Sequence, residues 1–129
     1  GAFERFQQRA DLAAEIRMHQ AAMWEKKKDT QKAGLCYMDV INRYVNAGPF
    51  VLEALVGAEQ ALRDAGTPEK IVVLYEQTWS RCQRPQNMAG EFMQESNWYM
   101  VGSMLEKRLI LARMNQQAAA VHAALGGAR

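Results

Sequence analysis

The sequence predicts an all-α protein in which antiparallel helical hairpins stack side by side as a short α-solenoid, with about five to seven helices and no sheet. Three observations carry this expectation. First, Lys32–Tyr44 and Lys70–Cys82 superpose with a shift of about 38 residues: Lys32 meets Lys70, Tyr37 meets Tyr75 and Arg43 meets Arg81. Second, apolar residues recur at helical spacing along most of the chain. Third, Gly and Pro fall between these stretches, where short helix connections need them. A period of this size marks units too small to bury their own apolar faces, which therefore lean on their neighbours.

The elements follow in order. Residues 3–28 read as one long helix or two closely joined ones, with Leu12, Ile16, His19 and Met23 at helical spacing and Lys26-Lys27-Lys28 as cations at its C-terminal end. Asp29 is the expected N-cap of the next helix, which carries Ala33, Tyr37, Val40 and Tyr44 on one face and stops at Gly48, before Pro49. A third helix, about 49–65, sets Val51, Leu55, Ala58 and Leu62 in register and ends at Gly66. Thr67-Pro68-Glu69 reads as a start signal, a hydroxyl cap followed by Pro and an acid. Ile71–Tyr75 alone resembles a buried strand, but the preceding cap and the spacing of Ile71, Tyr75, Thr78 and Cys82 make it helical, ending by Gln83. From Met88 to Leu125 a long helix is expected to break, most readily at Gly102-Ser103 and otherwise at Met114–Gln116. The segments 29–48 and 67–84 are thus second helices of successive repeats, 86–125 is a long or broken C-terminal helix pair, and 1–129 is a single helical-repeat domain.

The 129 residues suffice for a real core, and an apolar fraction of 49% argues against wholesale disorder. No run of about 18 apolar residues exists, so no membrane span is expected. Gly1-Ala2-Phe3-Glu4-Arg5 has neither a secretory apolar core nor an acid-free transit pattern, and Gly1 reads as the start of a processed or excised fragment. The net charge of +2 does not by itself call for nucleic acid, and the acidic excess falls in the middle, where the repeat signal lies. Cys36 and Cys82 occupy apolar helical positions, which predicts buried free thiols in an intracellular reducing compartment, cytoplasmic or mitochondrial.

Ala65-Gly66, Glu69, Ile71, Leu74-Tyr75-Glu76, Arg81 and Pro85 together resemble the second half of a pentatricopeptide repeat. The unit around Ala33, Tyr37 and Pro49 is similar to both that repeat and the tetratricopeptide repeat, and Trp98, Val101, Gly102 and Leu105 resemble the first helix of the latter. The resemblance spans roughly residues 20–105 and implies a right-handed solenoid. It also implies either a protein-binding scaffold or a single-stranded RNA-binding module in organellar RNA metabolism. In pentatricopeptide proteins a polar residue early in each first helix helps to read a base, and that position falls here near Val56 and Gly90, neither of which can hydrogen-bond a base edge. Base-specific reading is therefore not expected.

Motifs for chemistry are sparse. Glu91 and Glu95 lie one helical turn apart and Glu15 and His19 form an i, i+4 pair, but neither pair brings a third or fourth metal ligand, and a ligand role is expected of neither His19 nor His122. No phosphate-cradling Gly loop or nucleophile elbow occurs, and Ser80, Ser96 and Ser103 have no neighbouring His. The protein is expected to be no enzyme and to use no cofactor, metal or small-molecule substrate. Met88, Met93, Met100, Met104 and Met114 crowd the C-terminal third. Within Asn97–Met100, three large side chains in succession spread around more than half the helix circumference, so one should face away from the core. Trp98, Tyr99, Met100 and Met104 are accordingly the candidate contacts for a protein partner or a second copy. For the RNA alternative, the candidates are Lys26, Lys27 and Lys28 with Lys32, and Arg108 and Arg113 with Lys107.

Overall fold

The computed structural model describes residues 2–87 and 91–126; Met88, Gly90, the side chain of Glu91 and the tail from 127 lie outside the described residues. Among the described residues there are six α-helices: α1 (Ala2–Lys26), α2 (Thr30–Arg43), α3 (Phe50–Asp64), α4 (Lys70–Arg81), α5 (Asn97–Leu111) and α6 (Asn115–Ala124). A 3₁₀ turn, Glu91–Glu95, precedes α5. No strand occurs among the described residues, and Ile71–Tyr75 is helical. The fold is all-α, and the chain forms two compact units, Gly1–Pro68 and Glu69–Arg129.

In the first unit α2 is central, packing against α1 on one side and α3 on the other, while α1 and α3 touch only lightly. Asp29 caps α2 by accepting from the Lys32 amide at 3.0 Å. The core is Ala14 and Ala21 from α1, Cys36, Val40 and Ile41 from α2, and Val51, Leu55 and Ala58 from α3. Because α1 turns small residues inward, polar links supplement its attachment to α2. Arg17 Nε of α1 meets Asp39 Oδ2 of α2 at 2.7 Å, and the Tyr37 hydroxyl of α2 donates to Glu25 of α1; within α2, Arg43 also meets Asp39 Oδ1 at 3.1 Å.

Three helix ends share one device, in which a residue with positive φ folds the chain back onto the last carbonyls. Gly66 has φ 75°, but Lys28 and Arg113, at 60° and 61°, hold the same conformation with full side chains. At the first site the Asp29 amide donates to the Trp24 carbonyl and the Lys28 amide to that of Glu25, both at 2.9 Å. Thr67 belongs to this kind of ending and not to the start of α4: its amide and its hydroxyl both donate to the Leu62 carbonyl, at 2.9 and 3.1 Å. The expected cap of α4 is thereby corrected, and α4 begins at Lys70 without a side-chain cap.

In the second unit α5 is central, packing against α4, α6 and the 3₁₀ turn. Ser96 caps α5, accepting from the Tyr99 amide at 3.1 Å. The expected break at Gly102 does not occur; α5 runs through it and the chain turns at Ala112–Met114 instead. Gly102 serves packing, since a Cβ there would lie 2.8 Å from both Trp79 Nε1 and Leu125 Cδ2. The expected helix pair over 86–125 is accordingly confined to α5 and α6. Of the two segments related by the 38-residue shift, α2 is the central helix of its unit, whereas α4 is an outer helix of its own.

Candidate functional site

A layer of three helices whose outer members scarcely touch leaves a trough over the central one. In the first unit this trough, an open groove of about 580 Å³, runs between α1 and α3. Tyr37 of α2 forms its floor, and Gly57 of α3 makes room for the ring: a Cβ at 57 would fall 2.4 Å from Tyr37 Cε2. Burial foremost, and then the bond to Glu25, push the Tyr37 phenol above its ordinary value, so it remains a donor at neutral pH. Met18 and Ala22 of α1 face Phe50 and Val56 of α3 across the groove. Glu15, Glu25 and Glu53 supply carboxylates to its lining, and among the described residues no Lys or Arg lines it.

On α1 the apolar stripe that marks the helix in the sequence does not face the core. Leu12, Ile16 and Met23 are 57%, 48% and 55% exposed, opposite the buried Ala14 and Ala21. His19, exposed beside Glu15 at 3.9 Å, lies on both this stripe and the lip of the groove.

The predicted partner contacts divide. Trp98 is a core residue, stacked on Trp79 with ring centroids 5.6 Å apart, and its carbonyl accepts from Trp79 Nε1 at 3.0 Å. Arg84 caps the stack 5.3 Å from the Trp98 ring. Tyr99 and Met104 are half-buried and Met100 is exposed. Met100, Met104 and the exposed Leu111 share the outer face of α5.

The predicted RNA contacts also find local roles. Lys27 and Lys32 lie 5.2 and 4.3 Å from the Trp24 ring, while Lys26 ends α1 and Lys28 turns the chain after it. Arg108 rests 4.4 Å from the Tyr75 ring and donates to the Met104 carbonyl at 3.1 Å. Arg113 is the residue that reverses the chain after α5.

His122 Nδ1 lies 3.1 Å from Glu106 Oε2, and among the described residues no cluster of His, Cys, Asp or Glu is placed to hold a metal. Cys36 and Cys82 are free and buried, and burial pushes the Cys82 thiol up to about 11, which keeps it protonated and unreactive. No helix among the described residues is long and apolar enough to cross a membrane.

Sequence reasoning singled out Glu15 and His19 only as a pair, Val56 only as a non-reading position, and did not place Met18, Phe50 or Glu53 in a site. The one available signal was Gly57, a glycine inside a helical pattern, which marks a close approach by another group. Compared with known proteins, the chain matches no protein-family model, no curated protein and no solved structure.

Proposed function

We propose that this protein is a non-enzymatic helical-repeat scaffold that holds a protein partner within a larger complex. The observation that carries the reading is the outward stripe of Leu12, Ile16 and Met23 on α1, set on a helix that packs inward through alanines. Three large apolar side chains aligned on one helix face and left in water favour association with a matching face. The outer face of α5, with Met100, Met104 and Leu111, offers a second surface of the same kind, and takes over the role first expected of Trp98. Two buried free thiols support a reducing compartment.

The test is recovery of a reproducible partner by the tagged protein from its native extract, compared across variants. Ile16→Glu should abolish recovery, or reduce it by about tenfold or more, with an unchanged melting temperature because the side chain is exposed. Recovery unaffected by Ile16→Glu and by Met100→Glu would remove both surfaces from consideration.

The RNA reading retains one specific observation, that Lys27 and Lys32 of the basic cluster lie against the Trp24 ring. There the protein's own cations already lie over the ring that a base would have to stack on, which favours the protein reading. A gel-shift titration of single-stranded RNA at two salt concentrations separates the two, since phosphate binding must weaken steeply with salt.

A further inference from the structure

We infer that the groove between α1 and α3 is a binding site for a cationic amphipathic helix, whose Lys or Arg side chains meet Glu15 and Glu53 while an apolar side chain seats between Met18, Phe50 and Val56. This goes beyond the scaffold reading: the groove and the outer stripe of α1 meet at His19, but Leu12, Ile16 and Met23 do not line the groove, so the two surfaces are separately testable.

Charge decides the sign of the ligand. Glu15 and Glu53 are exposed, and they stand on opposite walls, on α1 and α3, so a ligand between them meets negative charge from both sides. Among the described residues no Lys or Arg lines the groove, and its one basic side chain, His19, lies 3.9 Å from Glu15. The third carboxylate, Glu25, also on the α1 wall, is engaged by the Tyr37 hydroxyl. An anionic segment would be repelled from both walls, and a neutral apolar one would offer no complement to the exposed carboxylate of Glu53.

The lining decides the form of the ligand. A volume of about 580 Å³ holds several side chains, more than a single ammonium group needs, and Met18, Ala22, Phe50 and Val56 give it an apolar interior. Met18 can adapt its shape to different apolar side chains. A trough between two neighbouring helices accepts a third helix along its length, with anchors spaced i, i+3, i+4 and i+7. The acid–apolar–acid cross-section selects a helix with an apolar ridge flanked by basic residues.

The experiment uses the whole chain and a synthetic amphipathic Lys/Leu peptide of about 18 residues, some five helical turns. Its controls are a Glu/Leu analogue and a scrambled Lys/Leu peptide of identical composition. Titration calorimetry should give one-to-one binding of the Lys/Leu peptide, at least about tenfold tighter than either control. The Glu15→Gln/Glu53→Gln double variant should weaken binding by a similar factor. Ala22→Trp, which fills the groove from an exposed position, should abolish it, and Val56→Trp serves as a second filling variant should the first fail to fold. Ile16→Glu, which adds negative charge outside the groove lining, should not weaken peptide binding while it tests the scaffold surface. Equal affinity for the Lys/Leu and Glu/Leu peptides, or undiminished binding to both filling variants, would overturn the assignment. So would binding that Ile16→Glu abolishes and Ala22→Trp does not, which would move the peptide to the outer stripe. A wild-type dimer that Ala22→Trp converts to a monomer would also overturn it, by making a second copy the occupant.

Discussion

Lys28 and Arg113 each hold a left-handed backbone that glycine adopts without steric penalty. Each also places a cation near a helix C-terminus, where the dipole favours it, so the two effects partly cancel. The backbone effect is the larger. Lys28→Gly and Arg113→Gly should each raise stability by about 0.5–1 kcal/mol, measured by chemical denaturation. A decrease for either would show that the side chain holds a contact worth more than the backbone strain. The same substitutions serve the RNA question, because a phosphate-binding Lys28 would be lost just as stability rose. The strain itself could not be read in the sequence: a glycine announces a chain reversal, whereas a lysine closing a basic run reads only as a favourable charge.

At the level of helices, Gly102 shows how a single missing Cβ organises a unit. Trp79 from α4 and Leu125 from the end of α6 converge on it, and Trp98 stacks on Trp79 just beyond. Gly102→Ala should cost about 1–3 kcal/mol through overpacking, since the contacts at 2.8 Å involve an indole and a packed Leu. A changed tryptophan fluorescence spectrum should accompany the loss, and an Ala variant as stable as wild type would mean that the indole swings aside at no cost. Much at this scale was legible. Asp29, Pro49 and Gly66 mark real boundaries because caps and stops are local chemistry, whereas α2 already ends at Arg43, ahead of the stop expected at Gly48. The facing of α1 was not legible. Its strongest apolar period, Leu12–Ile16–Met23, points outward, and its inner face is made of Ala14, Ala21 and the ion-paired Arg17, which no hydrophobicity pattern would select. Gly102 was misread for a related reason, since the same residue weakens a lone helix and permits close packing in an assembled one. Thr67 was ambiguous because a hydroxyl between two helices can serve either, and its carbonyl partner in α3 is visible only after folding.

For the molecule as a whole, the shared layout is a middle helix flanked by two others. In each unit the middle helix packs on both neighbours, α2 on α1 and α3, and α5 on α4 and α6. Amide hydrogen exchange should therefore be slowest in α2 and α5. It should be fastest, among the helices of the first unit, in α1, whose buried contacts are largely alanine and whose residues Glu4–Arg9 are all exposed. Equal protection of α1 and α2 would mean that the polar links through Asp39 and Glu25 hold as firmly as the apolar core. The candidate groove also belongs to this scale. Its walls come from helices that are not consecutive in the chain, so no local pattern could assemble Glu15 with Glu53.

The layout has a bearing on how the chain acquires its structure. Partners along each unit are chiefly consecutive helices, and only Lys27–Asp29 separates α1 from α2. Contact order is consequently low, and each pairing closes a short loop at little entropic cost. During synthesis α1 and α2 can dock before α3 leaves the ribosome, so the middle helix becomes the template on which its last neighbour condenses. Such a chain need not wait for its C-terminus to begin folding.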